Sequence, residues 1–181
     1  MWKTVVKSEL AGKRNAHEDA LLERFAEVLP REVRVTLLAD RGFGDQKLYE
    51  LLARLSFDYI VRFRELILVT DADGNSAPAS SWVPPAGRAL MIKNATVTQD
   101  HSVVPAVVVV KDPGMKEAWC LATSRAHLTA RAVVKLYGKR FTIEENFRDT
   151  KDIHFGMGLS ATHIGDVDRR DRLLLICALA V

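Results

Sequence analysis

The amino-acid sequence predicts an α/β domain that carries a β-rich insertion. Three observations lead there. Through residues 1–65, apolar runs of strand length alternate with amphipathic helical stretches. From Leu66 to about Lys116 the texture changes to short strand-like runs separated by turn clusters, with no convincing helix. From 117 to 181 one more strand-like run is followed by helical sequence. The expected organisation is therefore a first part (1–65), an insertion (66–116) and a remainder (117–181).

Taken in order, Met1–Val6 alternates like a strand and begins with no lead-in, which hints that the domain starts further upstream. Asn15 is placed to cap a helix carrying Leu21, Leu22, Phe25, Val28 and Leu29 on one side and stopped by Pro30. Val33–Ala39 (VRVTLLA) is an apolar strand that delivers Asp40 at its carboxyl end. Arg41-Gly42-Phe43-Gly44 reads as a turn, and Asp45 as the cap of a second helix bearing Leu48, Leu51, Leu52 and Leu55. Asp58–Arg64 (DYIVRFR) is a third strand. Within the insertion, ILVT, ALMIK, ATVTQ and VVPAVVVVK are strand-like, separated by DADGNSAPASS and PPAG. Trp119–Thr123 (WCLAT) returns to the main sheet. One long helix is expected from about His127 to Lys151, and a last one from about Asp166.

Nearly half of the 181 residues are apolar, enough to bury a core. The formal charge of +3, from 26 Lys and Arg against 23 Asp and Glu, argues against indiscriminate coating of nucleic acid but not against a local basic face. Cys120 and Cys177 lie in apolar surroundings and read as buried thiols in a reducing compartment. Neither the cysteines nor the histidines show zinc-ligand spacing. The amino terminus has no signal-peptide pattern, and the apolar tail Leu173–Val181 is too short for a bilayer core of about 30 Å. A soluble, cytoplasmic protein is expected.

Asp71-Ala72-Asp73-Gly74-Asn75 superficially suggests a calcium loop, but Gly74 falls at the fourth position and Trp82 at the twelfth, so it reads as a plain turn. Asp40 is a better candidate. Functional groups in open α/β sheets gather beyond the carboxyl ends of strands, and a carboxylate followed by a Gly-x-Gly turn is well placed to hold a metal. A turn or cap aspartate remains the plain alternative. Further on, Tyr137, Arg140, Glu144 and Lys151 fall on one stripe about 60° wide if the helix runs unbroken at ~100° per residue, with Arg148 beside them. A phenol, several cations and one carboxylate on one face suit a polyanion held next to a metal. A solvated face with Arg140 and Glu144 paired along the helix is the alternative.

The spacing Tyr137-(2)-Arg140-(3)-Glu144-(6)-Lys151 resembles the signature of a large group of bacterial insertion-sequence transposases. LLADRGFGDQKLYELL around Asp40 resembles the segment holding their second catalytic aspartate, and WKTVVKSELAGKRNAHEDALL is similar to the segment before it. The likeness spans nearly the whole chain. It implies an RNase H-like fold with three carboxylates in the order Asp, Asp, Glu, and a β-rich insertion between the second and third. It also implies Mg²⁺ or Mn²⁺ as cofactor and double-stranded DNA, both transposon ends and target, as partner. A homodimer in a synaptic complex is possible within that family. Carried across, Asp40 would be the second catalytic, metal-binding carboxylate and Glu144 the third. Tyr137, Arg140 and Lys151 would grip phosphates, with Arg41, Arg62, Arg64 and Arg148 as further DNA contacts. The setting would be the bacterial cytoplasm, in association with the nucleoid.

The chain departs from the family pattern at its front, where nothing occupies the place of the first aspartate; Glu9, Glu18 and Asp19 stand in the wrong context. The expectation is an inactive, truncated copy that binds metal and DNA weakly, with an unpaired strand edge and poor solubility. The rival readings are a non-catalytic inhibitor that binds DNA or full-length transposase, and an intact nuclease of another class.

Overall fold

The computed structural model describes residues 14–30, 32–43, 46–98, 102–154, 158 and 161–180. They fall into two compact units. One is Glu32–Arg140; the other takes in the described residues of Met1–Arg31 and Phe141–Val181. The expected strand Met1–Val6, Gly44 of the expected turn and the expected cap Asp45 lie outside the described residues.

Glu32–Arg140 is built on a mixed, open seven-stranded sheet with helices alongside, an α/β arrangement consistent with an RNase H-like fold. The strands are β1 (Thr36–Ala39), β2 (Asp58–Phe63), β3 (Leu68–Thr70), β4 (Ser76–Pro78), β5 (Leu90–Val97), β6 (Ser102–Val110) and β7 (Trp119–Thr123), in the spatial order β1-β2-β7-β6-β5-β3-β4. β1 and β2 run parallel, and every other pairing is antiparallel. The strands of 66–116 thus continue the same sheet, because Ala106–Val110 of β6 pair with β7. The runs ALMIK and ATVTQ form a single strand. Within β5, Asn94 takes a positive φ of 51° opposite Pro105, which has no N–H to give to the ladder.

Side-chain alternation explains how the sheet is filled. Leu38, Ile60, Leu121 and Val108 lie on one face, covered by Leu128 and by helix α3 (Ala130–Gly138), whose Val133 and Tyr137 are buried among them. Tyr59 points to the other face and stacks on Tyr49 of α2 (Gln46–Arg54), with ring centroids 5.0 Å apart. Leu48, Leu51 and Leu52 of α2 are buried, as the leucine spacing predicts. β6 contributes Val107–Val110, buried throughout.

Polar groups lock β1, β2 and β7 at the amino end of the parallel pair. The Ser124 hydroxyl donates to Asp58 Oδ1 (2.8 Å) and accepts the Tyr59 N–H (3.0 Å). Thr123 donates to the Tyr59 carbonyl (2.9 Å), and Arg125 Nη1 donates to Thr36 Oγ1 (3.1 Å). The Asp71 loop is the expected turn. Asp71 Oδ1 accepts from the N–H groups of Asp73 and Asn75 at 3.0 and 2.8 Å, and Gly74 adopts φ 86°.

The expected single helix from His127 to Lys151 is two helices: α3, and α4 (Phe141–Lys151). Gly138 weakens the helix locally. Beyond it the Lys139 and Arg140 N–H groups bond to the carbonyls of Leu136 (3.1 Å) and Tyr137 (2.9 Å), three residues back, which tightens and ends the turn. α3 begins at a true cap, where Thr129 Oγ1 accepts the Ala132 N–H at 3.2 Å.

The other unit contains α1 (Arg14–Val28), α4 and α5 (Val167–Ala180). Asn15 lies inside α1 rather than capping it. Asp166 caps α5 by accepting the Arg169 N–H at 2.8 Å.

Candidate active site

β1 ends at Ala39, which pairs with Val61 of β2. One step further, Asp40 stands level with Arg62 at the carboxyl end of the parallel pair. Asp40 then closes the turn that follows it. Its Oδ1 accepts the Gly42 N–H at 2.8 Å, and its carbonyl accepts the Phe43 N–H at 3.1 Å. The carboxylate is thereby oriented by backbone rather than left to swing. This bond is what the plain turn reading of Asp40 expects.

Next to it, two arginines meet one acid. Glu117 Oε2 accepts from Arg62 Nη2 at 2.8 Å and from Arg41 Nη1 at 3.2 Å. Glu117 lies on the connection between β6 and β7, and no sequence motif marks it. It reaches β2 because β7 is registered with Arg62 opposite Leu121.

α3 supplies the next members. Tyr137 is 1% exposed and meets Trp119 edge-to-face, with ring centroids 5.0 Å apart. Arg140 Cζ stands 6.0 Å from the tyrosine ring centroid. Burial raises the Tyr137 hydroxyl above its ordinary pKa, and the negative charge of Asp40 adds to this; the charges of Arg140 and Arg62 and a hydrogen bond from Arg140 pull the other way. Within Glu32–Arg140 the structure therefore brings Asp40, Arg62, Tyr137 and Arg140 into one electrostatic group, with Arg41 and Glu117 beside it. Arg64 lies just beyond β2 and is exposed.

The continuous stripe expected for Tyr137, Arg140, Glu144 and Lys151 is not present as such. Tyr137 ends α3 as a core residue, Arg140 lies in the link, and Glu144, Arg148 and Lys151 belong to α4. Glu144 sits in the exposed first turn of α4, with exposed Arg148 one turn on. The Lys151 side chain lies outside the described residues.

Among the described residues no three His, Cys, Asp or Glu side chains gather as a metal-holding group. Asp40 and Glu144 are oxygen donors of the kind that hard divalent cations take. Asp40, with one oxygen anchored by backbone, fits such an ion as one of several ligands. Glu117 fits less well, because its Oε2 already serves two guanidiniums. No helix among the described residues is long and apolar enough to cross a membrane.

A family model described as a transposase DDE domain covers residues 3–181. A search of curated proteins finds no match.

Proposed function

The chain belongs to the transposase DDE domain family, and from that premise we propose that it presents part of a metal-dependent phosphoryl-transfer site, with Asp40 and Glu144 as two metal-binding carboxylates. Transposases act on DNA, and the family generally uses divalent metal ions. Asp40 and Glu144 would hold Mg²⁺ or Mn²⁺, which when bound activates the attacking oxygen and stabilises the leaving one. Asp40 has one carboxylate oxygen fixed by the Gly42 N–H, which limits the swing of the group. Arg140, Arg148 and Lys151 are proposed phosphate contacts, and Tyr137, buried in the core, serves by placing its ring beside Arg140. Arg41, Arg62 and Arg64 add backbone contacts to double-stranded DNA, whether an element end or a target. Two copies would hold two ends in a synaptic complex. Two carboxylates alone position a pair of ions poorly, so the chain by itself is proposed to bind metal and DNA without strand transfer.

The observation that supports this reading best is the turn that fixes the Asp40 carboxylate at the carboxyl end of β1, with Arg41 and Arg62 converging nearby on Glu117. A metal-binding carboxylate surrounded by phosphate-binding cations is what phosphodiester chemistry needs. The test is a Mn²⁺ titration, reading free Mn²⁺ by electron paramagnetic resonance. Asp40→Asn and Glu144→Gln should each weaken binding by about tenfold or more. Binding unchanged in both variants refutes the assignment.

A further inference from the structure

The arrangement of Arg41, Arg62 and Glu117 has a role beyond holding the sheet end together. Paired guanidiniums converging on one oxygen are the geometry in which a DNA phosphate is clamped. Here the oxygen between them is Glu117 Oε2, at 2.8 and 3.2 Å. We propose that Glu117 is an internal phosphate mimic: in the free protein it occupies the seat between Arg41 and Arg62 that a phosphodiester takes when DNA binds.

Three features favour a removable occupant over a permanent clamp. Glu117 and Arg41 are 51% and 54% exposed, so solvent weakens their attraction and a competing anion can reach the seat. Arg62 is only 19% exposed and keeps its place on the sheet face whoever fills the seat. Glu117 is also carried by the connection between β6 and β7 rather than by a strand, so withdrawing it breaks no sheet ladder. The consequence is selectivity. A weak, non-specific encounter must expel a carboxylate before it gains two arginines, whereas a duplex held at other points expels it readily.

This inference rests on the reading of the chain as a DNA-acting protein, and the experiment separates the two. Binding of a fluorescent DNA duplex is measured by anisotropy at low, fixed salt for the full chain, for Glu117→Gln and Glu117→Ala, and for Asp73→Asn, which removes one exposed charge from a turn on β3–β4. The unmodified chain should bind. Both Glu117 variants should bind about two- to fivefold more tightly, the range an exposed ion pair is worth, and Asp73→Asn should bind less tightly than either. In an Arg62→Gln background, Glu117→Gln should bring no gain. Thermal melting confirms that each variant is folded. Unchanged or weaker binding by both folded Glu117 variants overturns the mimic while leaving the DNA-acting reading in place. So does a gain that persists without Arg62. No binding by any form, the unmodified chain included, defeats the DNA-acting reading and the mimic with it.

Discussion

At the scale of single residues, burial decides which groups can carry charge. Cys120 is fully buried in β7, and burial, reinforced by the charge of Glu65, pushes its thiol from an ordinary 9.0 up to about 12. Tyr59, beneath α2, is pushed by burial from 10.0 up to about 12. For such acids the folded chain keeps its proton where the unfolded chain has lost it. Their stabilisation is complete below the ordinary pKa and drains away as pH rises toward the folded value, at about 1.4 kcal/mol per unit for each group. The melting temperature should therefore begin to fall above pH 9, where Cys120 contributes, and fall faster above pH 10, where Tyr59 and Tyr137 join. Cys120→Ala should flatten the first part of the curve, measured by thermal melts from pH 8 to 11. An unaltered slope between pH 9 and 10 would remove the thiol from this account. At the same scale, Asp40 was legible in the sequence because everything that presents it is local: an apolar strand, a carboxylate, a Gly-x-Gly turn. Glu117 was not, since only the pairing of β2 with β7 brings it to Arg41 and Arg62.

At the scale of elements, α3 is held to the sheet by its buried Val133 and Tyr137. Tyr137 is buried against Trp119 and shares the cluster of Ile60, Val108, Leu121 and Val133. Tyr137→Ala should cost about 3–5 kcal/mol in urea unfolding, the range for deleting a large buried aromatic. Tyr137→Phe keeps the packing and should stay within about 1.5 kcal/mol of the original. Equal losses for both would mean that the hydroxyl, not the ring, anchors the helix. The helix containing Tyr137 was foreseeable from periodicity, but its end was not. Gly138 is compatible with a continuing helix by pattern alone, and the decision falls to the backbone bonds at Lys139 and Arg140. The insertion shows the complementary case. Its strands could be read from composition, yet composition does not say that β5 is one strand through Asn94 or that β6 extends the main sheet.

At the scale of the whole molecule, the alternation of strand and helix in the sequence anticipates the mixed α/β sheet, and the family match agrees with the resemblance to a DDE transposase. Asp40 lies in the compact unit Glu32–Arg140 and Glu144 in the unit containing Phe141–Val181. The central proposal is that Asp40 and Glu144 are each metal-binding carboxylates. Iron-directed cleavage tests it most directly: Fe²⁺ replaces the divalent ion, peroxide and ascorbate generate hydroxyl radicals there, and mass spectrometry maps the backbone cuts. The account predicts cuts near Asp40 that are lost in Asp40→Asn and cuts near Glu144 that are lost in Glu144→Gln, both suppressed by excess Mg²⁺. Cuts confined to one segment, or cuts at either segment that survive its own substitution, would contradict it.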